Sequence, residues 1–588
     1  MGSSSTAGAE PEHHEHEVDV LVVGSGAGGL TAALRAHDRG LSVLVVEKAG
    51  RFGGSSALSG GGLWIPGAPA QVRGGHRADR DGTLHYLEQL TEGLVGRERL
   101  VSYVDNGPAM MAYLEAASEH LRFVWKPGYP DYYPELPGGS AQGSVINVPQ
   151  IDLRLLGDDQ ERLLPPPAVA PKGFWIAPNE LVDFYRLRQS WKGKRVFLRL
   201  LWRMVRARLL GERYATMGQS LVARLLLALR ERDVPLWASS PMTALLVEED
   251  GRVVGARVER DGAPVRVAAR HGVVIASGGF EHNAELRREH QPMADPSVSL
   301  GAASNTGDGI LAAREAGAGL DLLDSAWWYP AVAWRPGNVQ FSLNERMMAS
   351  QLIVNGAGER YINEAAPYQD FGQRMIRGEE DGVPHIPSWL IMDERCWRSY
   401  VVFGHLPLSR IPFAPVPTGR RIPDSWLESG SVAVADDVAG LAAAIGVPAE
   451  NLHRTVERYN ALAEAGRDDD FHRGKSVYER YYADVTLPAP NLAPLGEGRL
   501  LAFRLILSDL GTNGGIVTDE RARALRGDGS VIPGLYATGN ATAAVMGRSY
   551  AGAGATLGPA MTFGYVAADD IAERAGRPAL EDAPGSAS

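Results

Sequence analysis

Asp19-Val-Leu-Val-Val-Gly24-Ser-Gly26-Ala27-Gly28-Gly29, followed by Leu30 to Arg39 and then by Leu41-Ser-Val-Leu-Val-Val-Glu47, decides the fold. Residues 19 to 24 read as a short buried parallel strand, the glycines open a helix from about Leu30 to Arg39, and a second strand runs from Leu41 to Val46. Gly24 allows the tight bend, Gly26 lets the backbone approach a pyrophosphate, and Gly29 permits close packing of helix on strand. Free N–H groups at the helix start meet phosphate charge. Glu47 stands where a carboxylate accepts hydrogen bonds from a ribose diol. Ala27, Gly28 and Lys48 complete the residues assigned to this half of a dinucleotide site.

Such a turn does not separate NAD from FAD, because both carry an ADP half. Later segments decide it. Gly53-Gly54-Ser55-Ser56 and Ser59-Gly60-Gly61-Gly62 put small residues and hydroxyls where a long cofactor continues past its pyrophosphate. Val273 to Ala276, ending in Ser277-Gly278-Gly279, reads as another strand facing the same crevice. Gly534-Leu-Tyr-Ala-Thr-Gly539-Asn540 brings a last strand back from the far end of the chain, and Leu557-Gly558-Pro-Ala-Met starts a helix whose N–H groups face a reduced flavin ring. No second GxGxxG follows a strand, so the reading is FAD without a separate NAD domain. The fold class is α/β.

Composition bounds the rest. At 588 residues two or more domains are expected, and 45% apolar with 22% charged residues is ordinary globular usage. The lone cysteine, Cys396, excludes an intrachain disulfide and a cysteine metal cluster, and no metal site is assigned. A net charge of −11 argues against a nucleic-acid partner. No apolar run reaches spanning length and no export signal precedes the first strand, so a cytoplasmic location is expected. Residues 1–17, with His13, His14 and His16, read as a disordered tail. Gly474-Lys475-Ser476 imitates the end of a phosphate-binding loop, but Asp469 stands where its first glycine belongs.

One region breaks the acidic average. Between Arg186 and Arg213 there are ten Lys or Arg and one acid, Glu212. Val196, Phe197, Leu200, Leu201, Met204 and Val205 recur at helical spacing, Arg195, Arg199, Arg203 and Arg206 run beside them, and Trp191 and Trp202 flank the stripe. This is a basic amphipathic helix, read either as lying on an anionic membrane or as packed on its own protein with a solvated basic face, the first being favoured by the charge density. With the proline-rich stretches Leu163 to Pro167 and Pro171-Lys-Gly, residues 140–215 read as an insertion.

Together these segments resemble the FAD-dependent 3-ketosteroid dehydrogenases, relatives of the flavoprotein subunits of fumarate reductase and succinate dehydrogenase. The resemblance covers the chain apart from its N-terminal tail and the insertion. It rests on Arg51-Phe-Gly-Gly-Ser-Ser-Ala with Trp64-Ile-Pro66, Asn305-Thr-Gly-Asp-Gly309, Gly358-Glu-Arg-Tyr-Ile-Asn-Glu364, Ser508-Asp-Leu-Gly-Thr512, and above all Val545-Met-Gly through Ser549-Tyr550 to Gly558-Pro-Ala-Met-Thr-Phe-Gly564. Three tyrosine-bearing segments look like the Δ1 branch.

The resemblance implies 1,2-desaturation of a 3-ketosteroid, in steroid breakdown, with non-covalent FAD. A hydride leaves C1 for flavin N5 and a proton leaves C2. By the same resemblance, the Tyr550 hydroxyl and Gly554 N–H hold the C3 oxygen, Tyr368 is the base, and Tyr132 hydrogen-bonds it. Ala551 and Ala553 stand where the family has prolines, so a looser loop is expected; Arg548 also departs from the family and falls near a substrate tail or the surface. Trp327, Trp328 and Tyr329 read equally as an apolar wall for a flat steroid or as core packing. The alternatives are a Δ4-(5α)-dehydrogenase and a fumarate-reductase-like enzyme. The implied architecture is a Rossmann-like FAD-binding domain from both chain ends, 18–325 and 512–588, with an inserted α+β catalytic domain, 326–511. A quinone acceptor and peripheral membrane contact through residues 186–213 complete the expected partners.

Overall fold

Val20 to Val23 are 0 to 6% exposed, as a strand covered on both faces must be. They belong to the strand His14–Val23, in the interior of an eight-stranded sheet. The computed structural model describes residues 14–166, 174–335, 337–408, 418–419 and 421–577. Val43–Val46 and Ala263–Ile275 pair parallel on either side of the first strand, and Val531–Ala537 adds parallel to Ala263–Ile275. Both ends of the described chain therefore build one sheet. Helix Ala27–Asp38 packs on helix Leu557–Arg574, where Arg35 Nε donates to Asp569 Oδ1 at 2.8 Å.

Two boundaries differ from the sequence reading. The first helix begins at Ala27, three residues before the expected Leu30, because extended Gly26 caps it and Ser56 Oγ accepts the Ala27 N–H at 3.0 Å. The first strand begins at His14, inside the stretch read as tail. Its polar start pairs with Val265 to Ala268, and Arg270 reaches Glu17 at 2.5 Å, so ion pairs rather than apolar burial secure it. Residues 1–13, including His13, lie outside the described residues.

A second sheet is antiparallel and takes six strands, with Leu500–Thr512 joining Ala326–Arg335, Ser388–Asp393 and Val432–Ala435. Helix Tyr368–Glu380 rests against Ala326–Arg335, which fixes its first residue, Tyr368, at the edge of this layer. Within 140–215, the short pair Ile151–Asp152 and Tyr214–Ala215 closes a loop that contains the basic helix Trp191–Leu210. Pro167 and the Pro171-Lys-Gly loop reading lie outside the described residues.

The basic helix is apolar on two faces, not one. Val196, Leu200 and Ala207 turn inward, the first two against Phe184, Leu187, Val401 and Leu406. Trp191, Leu198, Leu201, Trp202, Val205 and Leu209 are exposed, Trp191 and Leu209 at 77%. At 100° per residue, 191, 198, 202, 205 and 209 fall opposite 196, 200 and 207, so the expected stripe splits between protein and solvent. Glu180 anchors the inner side by accepting from Arg199 at 2.5 Å and Arg203 at 2.7 Å. No described helix is long and apolar enough to cross a membrane.

Candidate active site

One continuous cavity of about 600 Å³ runs from the glycine turn to the tyrosines. Its wall includes Gly24, Gly26, Ala27, Gly28, Gly29, Glu47, Lys48, Gly54, Ser55, Ser56, Ser59, Gly60, Gly61, Gly62, Ala276, Gly278, Gly539, Asn540 and Leu557. Gly24 has φ +107°, and a Cβ there would meet Ala276 O at 2.3 Å, so no side chain fits the turn. Gly54 and Gly60 face open space, with nothing within 4 Å of an added Cβ. Glu47 is held rigid: Oε2 accepts the Ser25 N–H and hydroxyl at 3.0 and 2.6 Å, and Oε1 accepts the Ala49 N–H at 2.9 Å. A fixed carboxylate, a bare helix start and a row of hydroxyls suit the adenosine diphosphate half of FAD and the long remainder beyond it.

Two assignments shift. Gly558 is not on the cavity wall; a Cβ there would stand 2.7 Å from Trp64 O, so its bareness lets the helix start pack on Trp64. Lys48 lines the cavity but directs its ammonium to Asp308 at 2.6 Å. Asn305, Thr306 and Asp308 also line the wall, from the Asn305-Thr-Gly-Asp-Gly motif that sequence reading used only as a resemblance.

The three tyrosines, from segments more than 150 residues apart, meet at the other end. Ring centroids lie 5.5 Å apart for Tyr132 and Tyr368, 5.4 Å for Tyr132 and Tyr550, and 5.1 Å for Tyr368 and Tyr550. All three and Gly554 line the cavity. Burial pushes the Tyr550 phenol up, while the Tyr368 and Thr556 hydroxyls and the Gly554 N–H draw it back. The Gly554 N–H and the Thr556 hydroxyl thus both donate to the Tyr550 oxygen, and Thr556 is a support that the sequence did not reveal. Burial likewise holds Tyr368 well above the ordinary tyrosine value; the Tyr550 hydroxyl opposes its ionisation and that of Tyr132 favours it.

The loop carrying Tyr550 is pinned despite its missing prolines. Ala551 O accepts the Tyr132 N–H at 3.0 Å and the Tyr86 hydroxyl at 2.8 Å, and Gly554 O accepts the Trp64 N–H at 3.1 Å. Hydrogen bonds supply the order that proline would have supplied. Arg548 is a surface group, paired with Asp324 at 2.8 Å. Of the two readings of Trp327, Trp328 and Tyr329, packing holds: Trp327 stands behind Tyr550 and donates to Asn540 at 3.1 Å, and Trp328 and Tyr329 pack in the core. Phe341, Leu343, Tyr129, Tyr185 and Tyr482 line the cavity instead.

Among the described residues no arginine or histidine lines this cavity; its cations are Lys48 and Lys126. Lys126 lies over the rings of Tyr129 at 4.8 Å and Tyr481 at 5.5 Å, and burial lowers its pKa to about 8. A dicarboxylate clamp of converging arginines is therefore absent from this wall.

Comparison with known proteins identifies the family. Residues 19–557 match the family described as FAD binding domain. The chain is 42% identical over 570 residues to 3-oxosteroid 1-dehydrogenase of Mycolicibacterium smegmatis, covering 95% of this chain and 98% of that protein. It is 34% identical to 4-oxocyclohexanecarboxylate 2-dehydrogenase of Sinomonas cyclohexanicum, covering 95% and 93%. Among solved structures, 3-ketosteroid Δ1-dehydrogenase of Sterolibacterium denitrificans in complex with 1,4-androstadiene-3,17-dione superposes with TM-score 0.85 at 37% identity, covering 95% of this chain and all of that one. With an FAD cradle built by both chain ends and near full-length identity of this order, the chain belongs to the FAD-dependent 3-oxosteroid 1-dehydrogenases.

Proposed function

We propose that the protein desaturates 3-ketosteroids between C1 and C2, and the observation that carries this is the convergence of Tyr132, Tyr368, Tyr550 and the Gly554 N–H at one end of the FAD cavity. The Tyr550 hydroxyl and the Gly554 N–H donate to the C3 oxygen. Two donors on that atom stabilise the enolate and so acidify the proton at C2. Tyr368 takes that proton, and the C–H electron pair becomes the enolate. Tyr132, beside Tyr368, donates to its oxygen and so favours its ionised form. Bound FAD supplies the two-electron acceptor for the hydride at C1. Phe341, Leu343 and Tyr482 give this end of the cavity an apolar and aromatic lining that would exclude water from the steroid rings.

Exchange of C2 protons with deuterated solvent tests the base. Tyr368→Phe stops the exchange while FAD stays bound; exchange at the native rate would remove Tyr368 from the role. A second reading, desaturation of a small cyclic keto acid, is favoured by one feature, the Lys126 ammonium on the cavity wall, which a carboxylate would meet. Turnover of 4-oxocyclohexanecarboxylate faster than that of 4-androstene-3,17-dione would favour it.

The outward face of the basic helix supports peripheral contact with an anionic bilayer. Trp191, Leu198, Trp202, Val205 and Leu209 form an exposed apolar ridge, with Lys192, Arg195, Arg199 and Arg206 on one flank and Lys194 and Arg208 on the other. Each basic residue near such a surface is worth about 1 kcal/mol. Helix Leu181–Tyr185, just before it, contributes Leu181 and Tyr185 to the cavity wall, so an apolar ketosteroid and a quinone acceptor both have a short route from the lipid. Co-sedimentation with phosphatidylglycerol vesicles should exceed that with phosphatidylcholine and be lost in Trp202→Glu/Leu209→Glu; an unchanged distribution would overturn the contact.

A further inference from the structure

Tyr132, Tyr368 and Tyr550 come from three separate elements, and a further tyrosine, Tyr133, makes contact with the chain beside each of them. It follows Tyr132 directly in the sequence. Its hydroxyl donates to Asp370 Oδ1 at 2.7 Å, two residues beyond Tyr368 in the first turn of helix Tyr368–Glu380. The same oxygen takes a hydrogen bond from the Ser549 hydroxyl, one residue before Tyr550. The Tyr133 N–H donates to the Tyr86 hydroxyl at 3.3 Å, which in turn donates at 2.8 Å to Ala551 O, one residue after Tyr550. Burial raises the Asp370 pKa to about 6, so at neutral pH its carboxyl is ionised and the bond from Tyr133 is charge-assisted. Tyr133, Asp370 and Ser549 are not part of the cavity wall.

We propose that Tyr133 is a positioning residue for the desaturation: by bonding Asp370 and Ser549 it holds the segments of Tyr132, Tyr368 and Tyr550 at the spacing that the reaction needs. The inference rests on the roles proposed above for those three tyrosines. The Tyr132 loop joins strands Val124–Trp125 and Val145–Asn147 of a small three-stranded sheet, whereas helix Tyr368–Glu380 rests on the six-stranded sheet, where Gln369 Nε2 donates to Ala326 O at 3.0 Å. Two sides of the triangle of tyrosines have their own ties. Gln369 and Gln373 bind the helix to the Tyr550 loop by donating to Arg548 O at 3.1 and 2.6 Å, and the Tyr132 N–H reaches Ala551 O at 3.0 Å. The third side, from Tyr132 to Tyr368, runs between the two sheets, and the bond from Tyr133 to Asp370 closes it. The rings of Tyr132 and Tyr368 stand 5.5 Å apart, edge to face. Packing alone leaves such a pair free to slide, because aromatic contacts tolerate centroid separations of about 4.5 to 7 Å, whereas proton transfer needs its heavy atoms within about 2.6 to 3.2 Å. A directed hydrogen bond between the flanking residues narrows that range.

The test compares native, Tyr133→Phe, Asp370→Asn and Asp370→Ala holoenzymes in turnover of 4-androstene-3,17-dione and in exchange of its C2 protons with deuterated solvent. Tyr133→Phe keeps the ring and loses only the hydroxyl, so kcat and the exchange rate should both fall about 10- to 100-fold, while KM and FAD content stay within about twofold of native. Asp370→Asn keeps an acceptor oxygen and should hold most of the native rate. Asp370→Ala should lose nearly as much as Tyr133→Phe, and the two combined should lose little more, because both remove the same bond. Native rates in Tyr133→Phe, losses that add in the double variant, or a rise in KM with kcat unchanged would overturn the proposal. If Tyr133→Phe does not retain FAD, the comparison of Asp370→Asn with Asp370→Ala carries the test, and equal rates in those two would overturn it. Exchange at the native rate in Tyr368→Phe would instead refute the base assignment on which the proposal stands.

Discussion

At the scale of single residues, burial acts on the site in two senses: it keeps the Tyr550 phenol neutral and opposes ionisation of Tyr368. In the proposed role Tyr550 would donate to the C3 oxygen only while neutral, and burial keeps it so. Tyr550→Phe should lower the rate of flavin reduction about 100- to 1,000-fold with FAD content unchanged, measured by rapid mixing with 4-androstene-3,17-dione. A loss under tenfold would mean that the Gly554 N–H suffices. The tyrosines were legible because each sits in a segment with its own family pattern. Thr556 and Phe341 were not. A threonine two residues after Gly554 matters only because the loop folds its hydroxyl back to Tyr550, and Phe341 reaches Tyr368, at 5.2 Å, only through strand pairing.

At the scale of elements, hydrogen bonds and ion pairs replace the signals that the sequence lacks. The loop at Tyr550 has alanines for prolines, yet Tyr86, Tyr132 and Trp64 tie it down from three other segments. The basic helix was legible as amphipathic, but not which face binds the protein, because both are apolar; the partners of Val196 and Leu200 lie as far away as Val401 and Leu406. Glu180 holds the inner face. Burial would raise its pKa, but hydrogen bonds from Arg203, the Ala177 N–H and Arg199 outweigh that and hold it below the usual range. A carboxyl depressed on folding contributes stability above its unfolded value of about 4.3, and that contribution is lost as the pH falls through its folded value. Limited proteolysis should therefore cut the segment around Trp191–Leu210 faster on acidification below pH ~4, and Glu180→Gln should show the faster cutting already at neutral pH. Equal cleavage of variant and native protein at neutral pH would show that apolar packing alone holds the helix.

At the scale of the whole molecule, the dinucleotide half was readable because its signals are local: strand, glycines, helix and acid follow one another within thirty residues, and the return strand Val531–Ala537 carries Gly534 and is followed by Gly539. The second sheet was not readable strand by strand. Its ladder joins Ala326–Arg335 to Leu500–Thr512 across most of the intervening chain, and antiparallel register of that range leaves no short-range pattern. What the two layers create together is a cavity with the glycine turn and Glu47 at one end and three tyrosines at the other, its wall including Leu181 and Tyr185 from the short helix that precedes the basic one. The most direct test of this account is anaerobic mixing of the FAD-loaded protein with 4-androstene-3,17-dione, followed by bleaching of the flavin and location of the new double bond. The account predicts bleaching and the 1,4-diene; bleaching only by a 5α-saturated 3-ketosteroid, with the 4-ene as product, would contradict it.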